Sequence, residues 1–377
     1  MHELSKRLAE HFQVTVIGPH ALGAKRDEFM DEVRVLRYRY APAILETLVN
    51  NGGIVTNLRR APWKWLLVPG FLSGQWWSLR RLIRSVKPDL IHAHWLIPQG
   101  FVACLASKRV PFVVTSHGAD LFALKAAPLR ALKRHVVRRA TAVTVVSATM
   151  RDELACVGID IAKVRVQPMG VDLSGRFVPD PRVERSRDEI LFVGRLVEKK
   201  GLHYLIDAMP GVLEAHPGAH LTIAGFGPEL AKLQAKVRRL GLEAKVRFSG
   251  AIRQADLPRL YQRAAVFVAP FIQTATGDQE GLGLVSVEAA GCACPVVVSD
   301  LPAVRQVFPE DDMVSWAQQR DAAALGSQIL YVLQHPERAR ERAIATGKSV
   351  AAQFDWSIVA AEYSRLLLMS TAGTTRE

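Results

Sequence analysis

Short runs of β-branched and other apolar residues alternate with longer stretches of helical periodicity along most of the chain. One series of runs covers 14–17, 90–92, 112–115 and 142–146, and a second covers 190–193, 220–224, 246–248, 266–269 and 295–298. Strands that alternate with helices build parallel sheets. The pattern therefore predicts an α/β fold with two doubly wound, Rossmann-like domains, and open sheets of this kind bind ligands in a cleft at the carboxyl ends of their strands.

The stretch 168–188 separates the two series. It carries Gly170, Gly175, Pro179 and Pro181 with several charges and has no apolar period, which is typical of a domain linker. We therefore expect an N-terminal domain over 1–172 and a C-terminal domain over 173–355. A final helical pattern, within 356–377, is expected to pack back on the N-terminal domain and to end in a tail.

The positive charge of the chain lies in its first half. Lys and Arg outnumber Asp and Glu by 25 to 13 in residues 1–175, whereas the counts are 24 and 23 in the remainder. Such an asymmetry points to an anionic partner, which can be a nucleic acid, a membrane surface or a phosphate-bearing substrate. No nucleic-acid recognition motif accompanies the charge, so we expect no nucleic-acid partner.

The four cysteines, at 104, 156, 292 and 294, lack the paired spacing of a zinc site and are expected to be buried thiols in a reducing cytoplasm. No apolar run approaches the length that a membrane-spanning helix requires. We therefore expect a soluble or peripheral protein.

A buried strand at 190–193 runs into Gly194 and Arg195, and Lys200 and Gly201 follow before a helix. A guanidinium supplies a planar fork of donors, and an ammonium group near a helix N-terminus adds a point charge. This arrangement suits a diphosphate, although a solvated basic turn would give the same letters.

A second segment places Glu280 before a glycine-rich turn and Glu288 about two helical turns into the helix that follows. The backbone N–H groups of Leu282, Gly283 and Leu284 would lie at the start of that helix. Carboxylates in this position can accept hydrogen bonds from sugar hydroxyls. The apolar neighbours of Glu288 argue against a solvated surface, because a carboxylate in apolar surroundings needs a partner.

Together these residues resemble the signature of retaining glycosyltransferases of the GT-B fold, family-4 type. The resemblance rests on Gly194 and Arg195, Lys200 and Gly201, and the two glutamates within Glu-Gly-Leu-Gly-Leu, and it extends over most of the chain. It implies a metal-independent hexosyltransferase with a nucleotide-sugar co-substrate, UDP- or GDP-linked, and no bound cofactor. The sequence has no Asp-x-Asp pair, which agrees with that expectation.

The resemblance also implies roles for single residues. Gly194, Arg195 and Lys200 would hold the donor diphosphate, Glu288 would bind the ribose, and Glu280 would contact the transferred sugar as a catalytic residue. Leu282, Gly283 and Leu284 would help to bind the donor through their backbone N–H groups. The C-terminal domain would then bind the nucleotide-sugar and the N-terminal domain would face the acceptor.

In the N-terminal domain, the strand 112–115 ends in Ser-His-Gly-Ala-Asp. Enzymes of the family place a histidine such as His117 against the donor sugar, so we take it as a second catalytic candidate. Asp120 would orient an acceptor hydroxyl or only cap a helix. His92 and His94 share one strand face. A metal pair is disfavoured because no further ligand is evident, and His94 becomes a candidate for the acceptor side.

Residues 61–85 hold four of the seven tryptophans beside Lys64, Arg80, Arg81 and Arg84. Trp and Arg together are typical of a membrane interface, although a core helix with a basic outer face has the same composition. We favour membrane contact because the basic half of the chain requires an anionic partner.

The sequence begins inside a helix, over residues 2–10, with a strand at 12–17 after it. The first central strand and glycine loop of a doubly wound domain are therefore expected to be missing from the N-terminal domain.

The leading hypothesis is sugar transfer to a membrane-associated glycolipid in surface polysaccharide biosynthesis, at the inner face of the plasma membrane. The alternatives are the same chemistry on a soluble acceptor and a non-catalytic nucleotide-sugar-binding subunit.

Overall fold

The computed structural model describes residues 1–50, 53–122 and 126–372. The chain divides into two compact units. Unit 1 contains residues 1–167 and the chain from Ala360 onward, and unit 2 contains Pro168–Val359. Each unit is an α/β structure whose strands are mostly parallel, as the alternation of strands and helices predicts.

Unit 1 contains two sheets. Their strands are β1 (Thr15–Pro19), β2 (Asp27–Met30), β3 (Val33–Tyr38), β4 (Ile91–His94), β5 (Phe112–Ser116), β6 (Ala142–Val145) and β7 (Val164–Val166). One sheet has the order β1-β3-β2 and the other β4-β5-β6-β7. All pairs are parallel except β2 with β3, which the sequence analysis did not foresee.

The described strands of unit 1 do not form one continuous sheet. β1 pairs with β3 alone and β4 pairs with β5 alone, so each has one edge without a partner among the described residues.

Helices and short turns cover these sheets. They are α1 (His2–Leu8), a 3₁₀ turn at Ala43–Leu45, α2 (Ile54–Arg60), a 3₁₀ turn at Pro62–Leu66, α3 (Leu67–Val86), a wide turn at Leu96–Gly100, α4 (Phe101–Ala106), α5 (Ala119–Phe122), α6 (Ala127–Arg139) and α7 (Ala148–Cys156). The long helix α3 buries Leu67, Phe71 and Leu79 along one face, four or eight residues apart, so its opposite face points outward.

Unit 2 contains one parallel sheet of β8 (Glu189–Val193), β9 (His220–Ala224), β10 (Val246–Gly250), β11 (Val266–Ala269), β12 (Val296–Ser299) and β13 (Ser315–Ala317). Its order is β10-β9-β8-β11-β12-β13. The chain therefore moves outward in one direction from β8 and in the other from β11. In open α/β sheets, ligands bind at the carboxyl ends of the two strands on either side of such a switch.

The helices of unit 2 are α8 (Leu202–Ala215), α9 (Leu230–Arg239), α10 (Leu257–Arg263), α11 (Leu284–Gly291), α12 (Pro302–Arg305), α13 (Ala322–Gln334) and α14 (Pro336–Phe354). The last helix, α15 (Trp356–Ala372), starts in unit 2 and belongs to unit 1 from Ala360. In unit 1 it is joined to the end of the β7 segment, because the Tyr363 hydroxyl donates to Gln167 O at 3.3 Å.

The stretch 168–188 is not a free linker. It belongs to unit 2, where Val171, Leu173 and Phe177 are buried and the backbone of Val171 bonds to Phe354. These side chains are buried, but their spacing is neither that of a helix nor that of a strand, so the hydrophobic pattern could not reveal them. The cysteines also differ from expectation at one position, since Cys104, Cys292 and Cys294 are buried but Cys156 is exposed.

Candidate active site

The carboxyl ends of β8 and β11 carry the two motifs that the sequence analysis singled out. β8 ends at Val193 and leads through Gly194 and Arg195 to a 3₁₀ turn at Glu198–Lys200. β11 ends at Ala269 and leads through a loop to α11. The motifs therefore lie on the two strands that flank the topological switch of the sheet.

Gly201 brings the lysine-bearing turn against the end of β11. It has a left-handed φ of +63°, and a Cβ at this position would lie 1.8 Å from Pro270 O. Ile272 N also donates to Lys199 O at 2.9 Å. A side chain at residue 201 would force the two segments apart, so glycine is required for this approach.

Lys200 and Glu280 form an ion pair across this junction. Lys200 Nζ lies 2.9 Å from Glu280 Oε2, and the two side chains are only 12% and 17% exposed. Burial alone would raise the pKa of Glu280, but Lys200, Lys199 and the Gly283 N–H lower it below the usual value. Glu280 is therefore a carboxylate, and Lys200 Nζ also lies 4.4 Å from the centre of the Phe271 ring.

A second ion pair lies beside the first. Lys199 Nζ is 3.1 Å from Asp278 Oδ1 and also donates to Gln279 O at 3.2 Å. The loop that carries Glu280 is thereby tied to the turn that carries Lys200. The sequence analysis did not predict this pair, because nothing in the spacing of 199 and 278 brings them together.

Glu288 lies on α11, about one turn after the helix begins at Leu284. Gly283 caps that start with a left-handed φ of +81°. The Tyr261 hydroxyl donates to Glu288 Oε2 at 2.9 Å. Burial raises the pKa of Glu288 to about 7, and the Tyr261 bond and Lys200 offset only part of that effect.

The turn after β8 is held by backbone bonds to the turn after β9. Gly194 N donates to Ala224 O and Leu196 N donates to Phe226 O. The close approach occurs at Gly225, where a Cβ would lie 1.8 Å from Gly194 O; a Cβ on Gly194 itself would meet only ordinary contacts. The close approach of these two turns therefore requires glycine at 225. Arg195 is exposed at this turn.

In unit 1, the parallel pairing of β4 with β5 brings His94 beside His117. His94 pairs with Thr115 in the register, and His94 Nδ1 lies 3.0 Å from His117 Nε2. His92, two residues earlier on β4, bonds through Nε2 to Thr115 Oγ1 at 2.7 Å. The three imidazoles therefore form one cluster at the carboxyl end of these strands.

This cluster is neutral near physiological pH. Burial lowers the pKa of His92 to about 4, helped by His117, and burial with the α-amino group of Met1 lowers that of His117 to about 4. Burial and the neighbouring histidines also hold the pKa of His94 well below its ordinary value. The His94–His117 contact is then a hydrogen bond between a donor nitrogen and an acceptor nitrogen.

Asp120 joins the segment after β4 to the end of β5. It is 4% exposed, and its carboxylate accepts from Leu96 N at 2.6 Å and from Ser116 Oγ at 2.8 Å. Each oxygen thus has a partner within unit 1, and the side chain binds the start of the turn at Leu96–Gly100; its contact with an acceptor hydroxyl stays a prediction. Trp95, directly after β4, has a positive φ of 81°, which is an outlier for a bulky residue and keeps its ring edge-on to His117.

The described residues contain no group of three or more His, Cys, Asp or Glu side chains that could hold a metal ion. Within the same residues, no helix is long and apolar enough to cross a bilayer.

Two family profiles match the chain, one for each unit. The family described as glycosyltransferase family 4 matches residues 1–174, and the one described as glycosyl transferases group 1 matches residues 179–350. A glycogen synthase of Mycobacterium tuberculosis is 31% identical over 299 residues, which are 77% of this chain and 71% of that protein. The chain is a group 1 glycosyltransferase.

Other relatives of this glycosyltransferase are named after lipids. A phosphatidyl-myo-inositol mannosyltransferase of M. tuberculosis is 30% identical over 291 residues, covering 74% of this chain and 73% of the relative.

Among solved structures, sucrose-phosphate synthase from Thermosynechococcus elongatus aligns with a TM-score of 0.81 at 20% identity, over 98% of this chain and 92% of that one. Anabaena HepE in complex with UDP aligns with a TM-score of 0.70 at 18% identity, over 95% and 100%. These likenesses show the GT-B fold.

In this glycosyltransferase, the residues expected to bind the donor diphosphate and ribose all belong to unit 2 and lie at the switch of its sheet. Lys200, Glu280 and the start of α11 are joined by direct contacts, and Glu288 follows on the same helix. In unit 1, His94 and His117 are in direct contact. The sequence analysis missed Lys199, Asp278, Tyr261 and the bend at Trp95. Of these, only Lys199 and Asp278 could have been noticed, because they lie close to the motif residues Lys200 and Glu280 in the sequence.

Proposed function

We propose that this glycosyltransferase moves a sugar, with retention of anomeric configuration, from a UDP- or GDP-sugar to a membrane-associated glycolipid acceptor. The observation that carries the donor half of the proposal is the buried Lys200–Glu280 ion pair at the switch of the unit 2 sheet. An ammonium group offsets charge on a departing diphosphate, and a carboxylate beside it accepts hydrogen bonds from sugar hydroxyls.

Roles for the remaining donor residues follow from their chemistry. Arg195 and Lys200 bind the diphosphate at the turn after β8, and the backbone N–H groups of Leu282, Gly283 and Leu284 favour negative charge at the start of α11. Glu288, held by Tyr261, accepts hydrogen bonds from the ribose. With two cations in place, we propose that transfer needs no metal ion.

His117 is the proposed catalytic residue of unit 1. Because its pKa is lowered to about 4, it offers the donor sugar a neutral hydrogen-bonding nitrogen rather than a charge. His94 fixes which nitrogen of His117 carries the proton. His94 also remains the candidate for the acceptor side.

The proposed acceptor carries a lipid, and the protein binds as a peripheral protein to the cytoplasmic face of the plasma membrane, in surface polysaccharide biosynthesis. Relatives named as phosphatidylinositol mannosyltransferases support a lipid-linked acceptor. A relative named glycogen synthase supports the second candidate, which is transfer to a soluble saccharide.

The test is a donor panel. Nucleotide release is measured with UDP-, GDP- and ADP-sugars, with and without EDTA, in the presence of lipid extract or of soluble oligosaccharides. We expect release with one nucleotide class, unaffected by EDTA and stimulated by lipid extract. Stimulation by soluble saccharides alone would replace the lipid acceptor with the second candidate. Tight donor binding without release under any condition would favour a non-catalytic binding subunit.

A further inference from the structure

Two short turns of unit 1 expose an unusual amount of apolar surface. Ile44 is 80% exposed and Leu45 40% in the first turn, and Trp63, Trp65 and Leu66 are 49%, 61% and 82% exposed in the second. Exposed single apolar residues are ordinary, but a cluster of large ones marks an interaction surface. We refer to these five side chains as the apolar patch.

The two turns that carry the apolar patch are held in place by other parts of unit 1. Lys64 Nζ donates to Thr47 O at 3.1 Å, which ties the second turn to the chain that follows the first. Beneath them, Tyr40, Leu48 and Phe71 belong to one buried cluster. The exposed side chains of the patch therefore belong to turns that a hydrogen bond holds in an ordered conformation.

The outer face of α3 continues from the patch with aromatic and basic side chains. Trp77 is 65% exposed, opposite the buried stripe, and Arg81 and Arg84 are exposed one and two turns farther along. Arg80 lies over the Trp76 ring at 5.3 Å. With 20 residues, α3 is about 30 Å long. The apolar patch lies at its N-terminal end, and the three arginines lie toward its C-terminal end.

We propose that this face docks on an anionic lipid bilayer, with the apolar patch and Trp77 in the interfacial layer and Arg80, Arg81 and Arg84 against lipid phosphates. This inference rests on the proposed membrane-associated acceptor and identifies the surface that reaches it. Indole rings are favoured at headgroup depth, and each cation near an anionic surface contributes about 1 kcal/mol.

The chemistry of the face decides between a bilayer and other occupants. A second copy of the chain, in a symmetric contact over this whole face, would bring the arginines of both copies into one interface, where like charges disfavour association. A nucleic acid would use the arginines but leave Ile44, Leu45 and Leu66 without a role. An anionic bilayer accommodates both groups at once.

The experiment is vesicle flotation of the whole chain without donor, using phosphatidylcholine vesicles and vesicles of phosphatidylcholine mixed with phosphatidylglycerol. We expect binding only to the anionic vesicles. The variant Trp63→Ser, Trp65→Ser, Leu66→Ser tests the patch, and Arg80→Gln, Arg81→Gln, Arg84→Gln tests the cations. The matched control, Lys236→Gln, Arg238→Gln, Arg239→Gln, removes three charges from α9 in unit 2.

Removal of the three α3 arginines should weaken binding on the order of 100-fold, since each contributes about 1 kcal/mol. The patch variant should also lose binding to anionic vesicles. The arginine variant keeps every tryptophan and should lose most of the quenching of tryptophan fluorescence by brominated lipids. The α9 control should bind as the parent does. Both variants should melt as the parent does and release nucleotide normally without vesicles, because the altered side chains lie outside the donor site.

Equal binding by the parent and both variants would overturn the inference, as would equal binding to neutral and anionic vesicles. A dimer in light scattering that the patch variant abolishes would replace the bilayer with a second copy. Failure of the proposed function is seen separately, as absence of nucleotide release by the parent chain with every donor.

Discussion

The two clusters of functional side chains use opposite electrostatics. In unit 2, Lys200 and Glu280 form an ion pair that is only slightly exposed, and the neighbouring lysines hold the pKa of the Glu280 carboxyl group below its usual value. In unit 1, His92, His94 and His117 are neutral because burial and their neighbours lower their pKa values. The comparison teaches that buried ionisable groups keep their charge where opposite charges pair, and lose it where burial and like groups act together.

The largest effect is expected at the charged cluster. Glu280→Gln and Lys200→Met should each lower nucleotide release on the order of 10³-fold, the upper range for loss of one electrostatic contact in an active site. Because each change leaves its partner buried without a counter-charge, thermal unfolding must be measured alongside. Near-parental turnover in either folded variant would refute the assignment of the donor site to this pair.

A smaller loss is expected from the neutral cluster. His117→Ala removes the proposed hydrogen bond to the donor sugar, a cost of about 1–3 kcal/mol, or roughly 10- to 100-fold in kcat/KM for the donor. His117→Asn keeps a neutral hydrogen-bonding group and should recover part of the activity. If His117→Lys were to match the asparagine variant, the neutrality of unit 1 would have no functional meaning.

The pH dependence separates the two clusters. The pKa of Glu288 is raised to about 7, so its carboxyl group is increasingly protonated below that pH. Ribose hydroxyls donate to the ionised form, so affinity for the intact donor should fall roughly tenfold between pH 8 and pH 6. The raised pKa also affects the stability of the protein without ligand. Burial favours the protonated form of Glu288, so its contribution to the free energy of unfolding is present at low pH and is lost as pH rises through 7.

Calorimetric titration with the nucleotide-sugar over that range provides the measurement, because its doubly esterified diphosphate does not ionise there. Glu288→Gln should bind more weakly and flatten the profile. His92 and His117, with pKa values about 4, should contribute nothing above pH 6. A profile that persists in Glu288→Gln would assign the titration to another group.

The smallest effect is expected at the second ion pair. Lys199→Met or Asp278→Asn should raise the donor KM about fivefold, because the pair ties the Glu280 loop to the Lys200 turn at partial exposure. The double variant should lose little more than either single one, and the exchanged pair Lys199→Asp, Asp278→Lys should recover part of the loss. Lys236 with Asp207 offers a matched control of similar exposure, whose disruption should leave KM unchanged.

Much of unit 2 could be predicted because its chemistry lies in local motifs. The strand at 190–193, the glycines after it and the pair Glu280 and Glu288 are each contained in a short segment, and the glycines and glutamates follow the carboxyl ends of β8 and β11. The Lys199–Asp278 contact could not be predicted, since it depends on how closely Gly201 approaches Pro270.

Unit 1 was less predictable because its cluster forms across strands. His94 meets His117 only through the register of β4 with β5, which no local pattern specifies. The alternation of buried and partly buried residues in β3 (Val33–Tyr38) was a usable signal that the sequence analysis overlooked. The role of Asp120 depended on the donors around it, which a one-dimensional pattern cannot show.

Gly201 carries a consequence for the tolerance of this protein to coding change. With only 1.8 Å between a would-be Cβ and Pro270 O, even alanine would need the two segments to separate. A saturation library at this codon, selected for turnover, should return glycine alone. Codon 201 should therefore remain unchanged in every functional variant, whatever substitutions accumulate elsewhere in the chain.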